Sequence, residues 1–569
     1  MTLRCFKASR LVIKALELLL TLHSDIGSID EEIRKLQTRR NSLVPISRLP
    51  NELLSTILMF CSQLKPDDDN DNDLRLFPPS RQRDRWPWTT VSHICSHWRN
   101  VALGCPVLWS CLDFSRPAWV PAMVERSRMV PLTLEVPFEL VYHSQTEEAI
   151  STALQHMSRV KELSVSIPSG QAGRLKALIA GLQQPAPLLE VLYLDKFDFS
   201  PWDVNLPLEF LNGDAPRLRH LELRGFCLPL ASGLLKNRLT SLVLFFSSPT
   251  DASWVQQLVR MLTSLCSLEV LGLKVPLSVK TISLTRVTHL PHLRSIELDA
   301  YITVCASLLD CISFPPTTTM QFSCAVSSPD QLIPQTSPIS ASLSRIRDLL
   351  LQSSSTTQFE SMISSLIIST DTWDPKLALG NTSSKPWLEL SFWFHDRPSP
   401  QSRSELFATI LEAILPASNA TVRLLTLEGL QRSWSSYQIW EKPASSLDSV
   451  RTLHVRGSCV RGILEWLTLT TPYPSQIDDS ACADRFTFLP LLRSLHLSLV
   501  NFDLDNDNTY TTLEKLKGVL TMRSERQCKI EEVKLEKCFR LSNEHVESLR
   551  EICADVRWDE VVDFLDEDD

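Results

Sequence analysis

"SRLPNELLSTILMF", residues 47–60, decides how the N-terminal part of this chain reads. If Pro50 opens a helix, turning each later residue by about 100° spreads Leu49, Leu53, Leu54, Ile57, Leu58, Phe60 and Cys61 over about 180° of its circumference. A helix that packs only on its own core needs an apolar stripe of little more than ~100°. The surplus predicts a helix that serves two neighbours.

On the N-terminal side, Leu19, Leu22, Ile26, Ile29, Ile33, Leu36, Arg40 and Leu43 follow one another at alternating steps of three and four. This is a short heptad seam, and "DEEIRKLQTRR" supplies charges outside it. Residues 1–44 are therefore expected to be helical with coiled-coil character. So short a run is marginal alone, and the expectation is that it folds back on a neighbouring helix rather than dimerises. The opening "MTLRCFKASRLVIKALELLLTL" is basic up to Glu17, as in a targeting segment. Lys14 and Glu17 break its apolar run and no small-residue cleavage site follows, so it reads as an amphipathic helix.

On the C-terminal side lies "KPDDDNDNDLRLFPPSRQRDR", a solvated insert at 65–85 that holds too little apolar surface to order itself. Its aspartates lack the D-x-D-x-D-G order and distal Glu of a calcium loop. A second helix is then predicted from Val91, Ile94, Cys95, Trp98, Val101 and Ala102, ended by Gly104 and Pro106. "PVLWSCLDF" turns back after it with large apolar groups that need a core.

From about residue 130 the period changes to short L-x-x-L-x-L runs. They include "LLEVLYL" at Leu189, "LRHLEL" at Leu218, "LTSLVL" at Leu239, "LEVLGL" at Leu268 and "LRSIEL" at Leu293, spaced 29, 21, 29 and 25 residues apart. "IRDLLL", "VRLLTL", "VRTLHV", "LRSLHL" and "IEEVKL" continue the series from Ile346 to Leu535. This spacing is that of leucine-rich repeats, in which each x-L-x-L run is a strand and the chain returns by a helix or loop. One such unit cannot bury its apolar side alone, so the units are expected to stack from 130 to 555. "FPPTTTMQFSCAVSSPDQLIPQTSPISASLS" (314–344) reads as an inserted loop, "PYPSQIDDS" as a second polar insert, and 556–569 as an acidic tail.

Composition narrows the functional classes. A net charge of −9 argues against general nucleic-acid binding, which needs concentrated Lys and Arg. No run of about 18 apolar residues is present to span a membrane. The fifteen cysteines contain no C-x-x-C pair and read as reduced, buried side chains. His93, Cys95 and His97 lack matched zinc ligands elsewhere, so neither metal nor cofactor is expected. No G-x-S-x-G, Walker-type loop or H-E-x-x-H motif points to an enzyme. Ser-Pro pairs at Ser328, Ser337 and Ser399 are candidate phosphorylation sites.

"ISRLPNELLSTILMF", with "VSHICSHWRNVALGCPVLWSCLDF" after the insert, resembles the F-box domain of fungal proteins over residues 45–115. The matching positions are Leu49, Pro50 and Glu52, then Ile94, Cys95, Trp98 and Arg99, then Pro106, Leu108 and Trp109. "VKLEKCFRLSNEHVESL" is similar to the cysteine-containing leucine-rich repeats common in F-box proteins, through Cys538, Leu541, Ser542, Asn543, Val546 and Leu549. The Asn that usually closes each turn of such repeats is missing from most of these. The resemblance implies an α/β chain, with an N-terminal helical F-box followed by an irregular leucine-rich-repeat solenoid. It implies a cytoplasmic or nuclear substrate-recognition subunit of a Skp–cullin–F-box ubiquitin ligase. Leu49, Pro50, Leu53, Ile57 and Leu58 would contact the Skp-family adaptor, with Trp98 and Trp109 forming or supporting that surface. The adaptor would link the chain to a cullin, and the repeats would bind a target protein. The alternative is a scaffold whose repeats hold a stable partner without ubiquitination.

Overall fold

The computed structural model describes residues 26–63, 92–136, 144–168, 178–197, 203–246, 252–274, 287–326, 364–380, 387–394, 422–430, 447–471, 485–502 and 512–561, a few single positions and pairs within these spans and short pieces near 342 and 410 aside. The acidic insert, "IRDLLL", "PYPSQIDDS", the three Ser-Pro pairs and the whole N-terminal basic stretch, with Leu19 and Leu22 of the heptad seam, lie outside the described residues. The fold is mixed α/β, and the chain divides into two compact units: residues 1–197 with 210–217, and 198–209 with 218–569. The first unit therefore runs far past residue 130, where the sequence predicted the repeat array to begin.

In the first unit residues 28–42 are helical. A 3-10 turn at Pro45–Arg48 leads to helix α1, Asn51–Gln63, whose first bond runs from the Leu54 amide to the Pro50 carbonyl at 3.1 Å. Helix α2, Ser96–Gly104, starts later than its apolar spacing suggested, because Cys95 is extended (φ −157°) and Ile94 precedes the helix. Strands β1 (Cys111–Asp113), β2 (Leu132–Val136), β3 (Val160–Pro168) and β4 (Val191–Phe197) then form a parallel ladder. Leu112, Leu134, Leu163 and Leu192 stand in one register and are all buried. Parallel strands need crossovers. Between them run α3 (Val120–Arg126), packed on β1, and α4 (Ser144–Leu154), packed on α3.

The second unit opens with parallel strands β5 (His220–Arg224), β6 (Ser241–Phe245), β7 (Val270–Lys274), β8 (Ser295–Tyr301) and β9 (Thr319–Val326). Strand β9 lies inside the predicted 314–344 loop. Met320, Phe322 and Cys324 alternate with polar residues and bury their side chains, a period-2 signal masked by the Pro/Ser/Thr composition.

The ladder then changes direction. Strands β10 (Ser365–Asp371), β11 (Asp374–Gly380) and β12 (Leu388–Phe394) form an antiparallel meander. Strand β12 pairs in parallel with β9, and β10 in parallel with β13 (Leu424–Glu428). The parallel run resumes through β14 (Thr452–Arg456), β15 (Ser494–Ser498), β16 (Glu532–Glu536) and β17 (Asp555–Trp558). Strand β17 takes up the start of the predicted acidic tail. Two columns of apolar side chains cross all these strands in register. One runs Leu221, Leu242, Leu271, Ile296, Met320, Leu388, and continues through Leu379, Leu366, Leu425, Leu453, Leu495 and Val533. Nearly every member is completely buried, so the core is a continuous stack of alternate strand residues.

Helices α5 (Ala252–Leu262), α6 (Ile302–Asp310), α7 (Val460–Trp466), α8 (Thr512–Glu525) and α9 (Asn543–Arg550) return the chain between strands. Ser542 caps α9 reciprocally with His545, and Cys538 is buried with its thiol donating to the Leu497 carbonyl at 3.5 Å. From α8, the fully buried Arg523 donates to the carbonyls of Leu467 (3.1 Å), Phe488 (2.7 Å) and Leu489 (2.9 Å), its guanidinium 4.5 Å over the Phe486 ring. That one side chain satisfies three loop carbonyls that no strand reaches. Among the described residues, no helix is long and apolar enough to cross a membrane.

Candidate protein-docking surface

The wide apolar arc of α1 resolves into two faces. Leu54 and Leu58 are buried, whereas Leu53, Ile57 and Phe60 are exposed. At about 100° per residue the centres of the two sets lie about 110° apart. The inward face packs on α2 and on the 3-10 turn Pro106–Trp109. There Trp98, Val101, Ala102, Leu108 and Trp109 close a small core, with the Trp109 indole donating to the Ala102 carbonyl at 3.0 Å. The Arg126 guanidinium covers the Trp109 ring at 4.5 Å, tying α3 to the same core.

Of the residues expected to contact an adaptor, Pro50, Leu53 and Ile57 are exposed and Leu49 is half-buried. Leu58, Trp98 and Trp109 are buried, so their part is to hold the two helices beneath the outward face. The exposed apolar set is larger than expected. Phe60 belongs to it, as do Ile94 just before α2, Leu103 within it, and Val107 on the turn packed against α1. Phe60 was already visible in the arc; Val107 and Ile94 depend on where the chain turns, which spacing does not reveal. Single exposed apolar residues are ordinary; several on one small helical domain make it the candidate surface in this unit.

A second surface lies on the sheet of the second unit. Thr426, His454, His496, Lys534 and Arg557 occupy one register row across β13–β17. The His454 and His496 rings stack at 4.0 Å, nearly parallel. His454 is hydrogen-bonded to Ser498 and His496 to Glu536, each at 2.9 Å. Burial pushes the His454 imidazole down to about 4, with His496 beside it acting in the same direction. Burial also lowers His496, against the pull of Glu536, while a hydrogen bond from Lys534 holds the Glu536 carboxyl below its ordinary value. The pair is therefore neutral at pH 7, half-buried beside the charged Glu536, Lys534 and Arg456. Among the described residues no group of three or more His, Cys, Asp or Glu is placed to hold a metal ion.

No protein-family model matches this chain, and comparison with curated proteins returns no significant match.

Proposed function

We propose that this chain is the substrate-recognition subunit of a Skp–cullin–F-box ubiquitin ligase, non-catalytic itself and acting in the cytoplasm or nucleus. The outward face of α1, with Leu49, Pro50, Leu53, Ile57 and Phe60, docks on the Skp-type adaptor and, through it, on the cullin. The stacked strands of the second unit are read as an irregular leucine-rich-repeat solenoid that holds the target protein. The chain makes no bond. It raises the effective concentration of the target near a ubiquitin-charged enzyme carried elsewhere in the assembly.

The observation that carries this reading is the division of α1 into a buried and an exposed apolar face within a small two-helix core. The resemblance of "LPNELL" and "HWRNVALGCPVLW" to the F-box names the occupant of the exposed face. The test is co-expression of the full chain with a Skp-type adaptor, followed by purification on a tag carried by the chain alone. A stoichiometric complex that supports ubiquitin transfer when the cullin module and charging enzymes are added supports the reading. A chain that holds adaptor while captured partners stay unmodified is a scaffold. Failure to retain adaptor overturns the F-box assignment.

A further inference from the structure

The helix ahead of α1 carries an apolar seam that lies exposed over its described residues. Every described residue from Ile26 to Arg40 is exposed. The seam residues Ile26, Ile29, Ile33, Leu36 and Leu43 are exposed to 56%, 57%, 45%, 61% and 68%. The helix is thus not folded back on a neighbour among the described residues, contrary to what its shortness suggested. The side-chain hydrogen bonds found along it are local, linking Arg34 with Glu31, Thr38 with Arg34, Arg40 with Asn41 and Ser42 with Arg39.

Charge placement says what would cover the seam. The acids Asp30, Glu31 and Glu32 lie in the N-terminal half, and the bases Arg34, Lys35, Arg39 and Arg40 in the C-terminal half. With Ile26, Ile33 and Arg40 at heptad position a and Ile29, Leu36 and Leu43 at d, a parallel pair would set Arg40 against its own copy inside the seam. An antiparallel pair does the opposite. Ile33 then meets Leu36, Ile26 meets Leu43, and Arg40 lies over Ile29 beside the acidic half. On the flanks Glu32 of each copy faces Arg39 of the other, twice by symmetry, as in any two-fold interface. The segment is complementary to itself when reversed.

We propose that residues 26–43 pair with the same segment of a second copy as an antiparallel two-helix coil, making the chain a homodimer. The experiment uses the full chain and measures its mass in solution by sedimentation equilibrium at micromolar concentration. Twice the chain mass is expected. Glu32→Arg alone places like charges at both flank contacts, as does Arg39→Glu alone, so each variant should sediment as a monomer, with association weakened at least tenfold. Mixing the two variants restores both contacts, and the mixture should recover the doubled mass as a mixed dimer. Both side chains are exposed, so each variant should keep the strand signal of the parent by circular dichroism and still unfold cooperatively, which excludes misfolding of the rest of the chain. A monomeric parent chain overturns the proposal and leaves the seam to a different protein. A dimer that neither charge reversal weakens, or a mixture that stays monomeric, overturns the antiparallel pairing.

Discussion

Replacing Leu53, Ile57 and Phe60 together by alanine removes the outward face of α1 and leaves its inward face intact. These side chains are exposed to 51%, 38% and 65%, so those fractions of their surface remain to be covered by a partner. Covering a large apolar side chain completely is worth about 1.5–3 kcal/mol. Scaled by exposure, Leu53 contributes about 0.8–1.5, Ile57 about 0.6–1.1 and Phe60 about 1–2 kcal/mol. Together that is about 2.3–4.6 kcal/mol, or roughly 40- to 2,000-fold in affinity. Alanine keeps a β-carbon, so the lower half of the range is expected. The cost in stability per residue should be smaller than for a fully buried leucine, because only part of each side chain is covered in the folded chain. Leu58→Ala is the contrasting perturbation: it empties part of the core and should cost about 2–5 kcal/mol of stability. Titration calorimetry against purified Skp-type adaptor reads the first effect, and thermal unfolding followed by circular dichroism reads the second. A triple variant that keeps its fold and binds within threefold of the parent would show that docking does not use this face. A triple variant that loses more stability than Leu58→Ala would show that α1 does not have two separable faces.

Arg523→Met should loosen the C-terminal part of the second unit. Three buried carbonyls lose a charged donor, offset in part by no longer burying a guanidinium, for a net loss of about 3 kcal/mol. Hydrogen exchange across Val460–Trp466 and residues 485–490 should accelerate roughly 100-fold, and exchange within threefold of the parent would refute the accounting. The stacked histidines give a pH dependence. The folded His454 imidazole is lowered to about 4, against 6.5 unfolded, so the unfolded state binds more protons between those values and stability falls as pH drops from 6.5 toward 4. Because the ring is partly exposed, the loss is discounted to about 1–2 kcal/mol. The lowered His496 acts in the same direction, whereas the lowered Glu536 matters only below the ordinary carboxylate range. Thermal midpoints at pH 7 and pH 5 should differ in the parent and differ less in His454→Asn; equal slopes in both would refute the assignment.

The strands were the most legible elements. Each of the L-x-x-L-x-L runs named above that is described forms a strand, and its apolar residues stand in register with those of a neighbouring strand. Strand direction was not legible, because Leu377 and Leu379 alternate alike whether "DPKLALG" runs up or down the sheet. Nor was the unit boundary: β2, β3 and β4 share the pattern of the later strands but are counted with the N-terminal core. In α1 the breadth of the apolar arc was plain, but its division was not. Leu58 looks like Ile57 in sequence, and only the position of α2 makes one core and the other surface. The heptad seam was likewise visible, whereas its exposure depends on what the rest of the chain leaves uncovered.

The meander of β10, β11 and β12 has a kinetic consequence. An ordinary step of the ladder joins residues such as Ile296 and Met320, 24 apart in the chain. The step into the meander joins Met320 to Leu388, 68 apart, and β11 and β10 are laid on the far side of β12 before β13 can pair. Closing that longer loop costs about 1 kcal/mol more chain entropy. In a stack stabilised by nearest-neighbour contacts, growth from either end slows at such a point. The flanking parallel runs, β5–β9 and β13–β17, are thus two arms that nucleate separately and zip toward a common late junction. Pulled from its ends, the second unit should yield first at that junction, giving two extension steps rather than one.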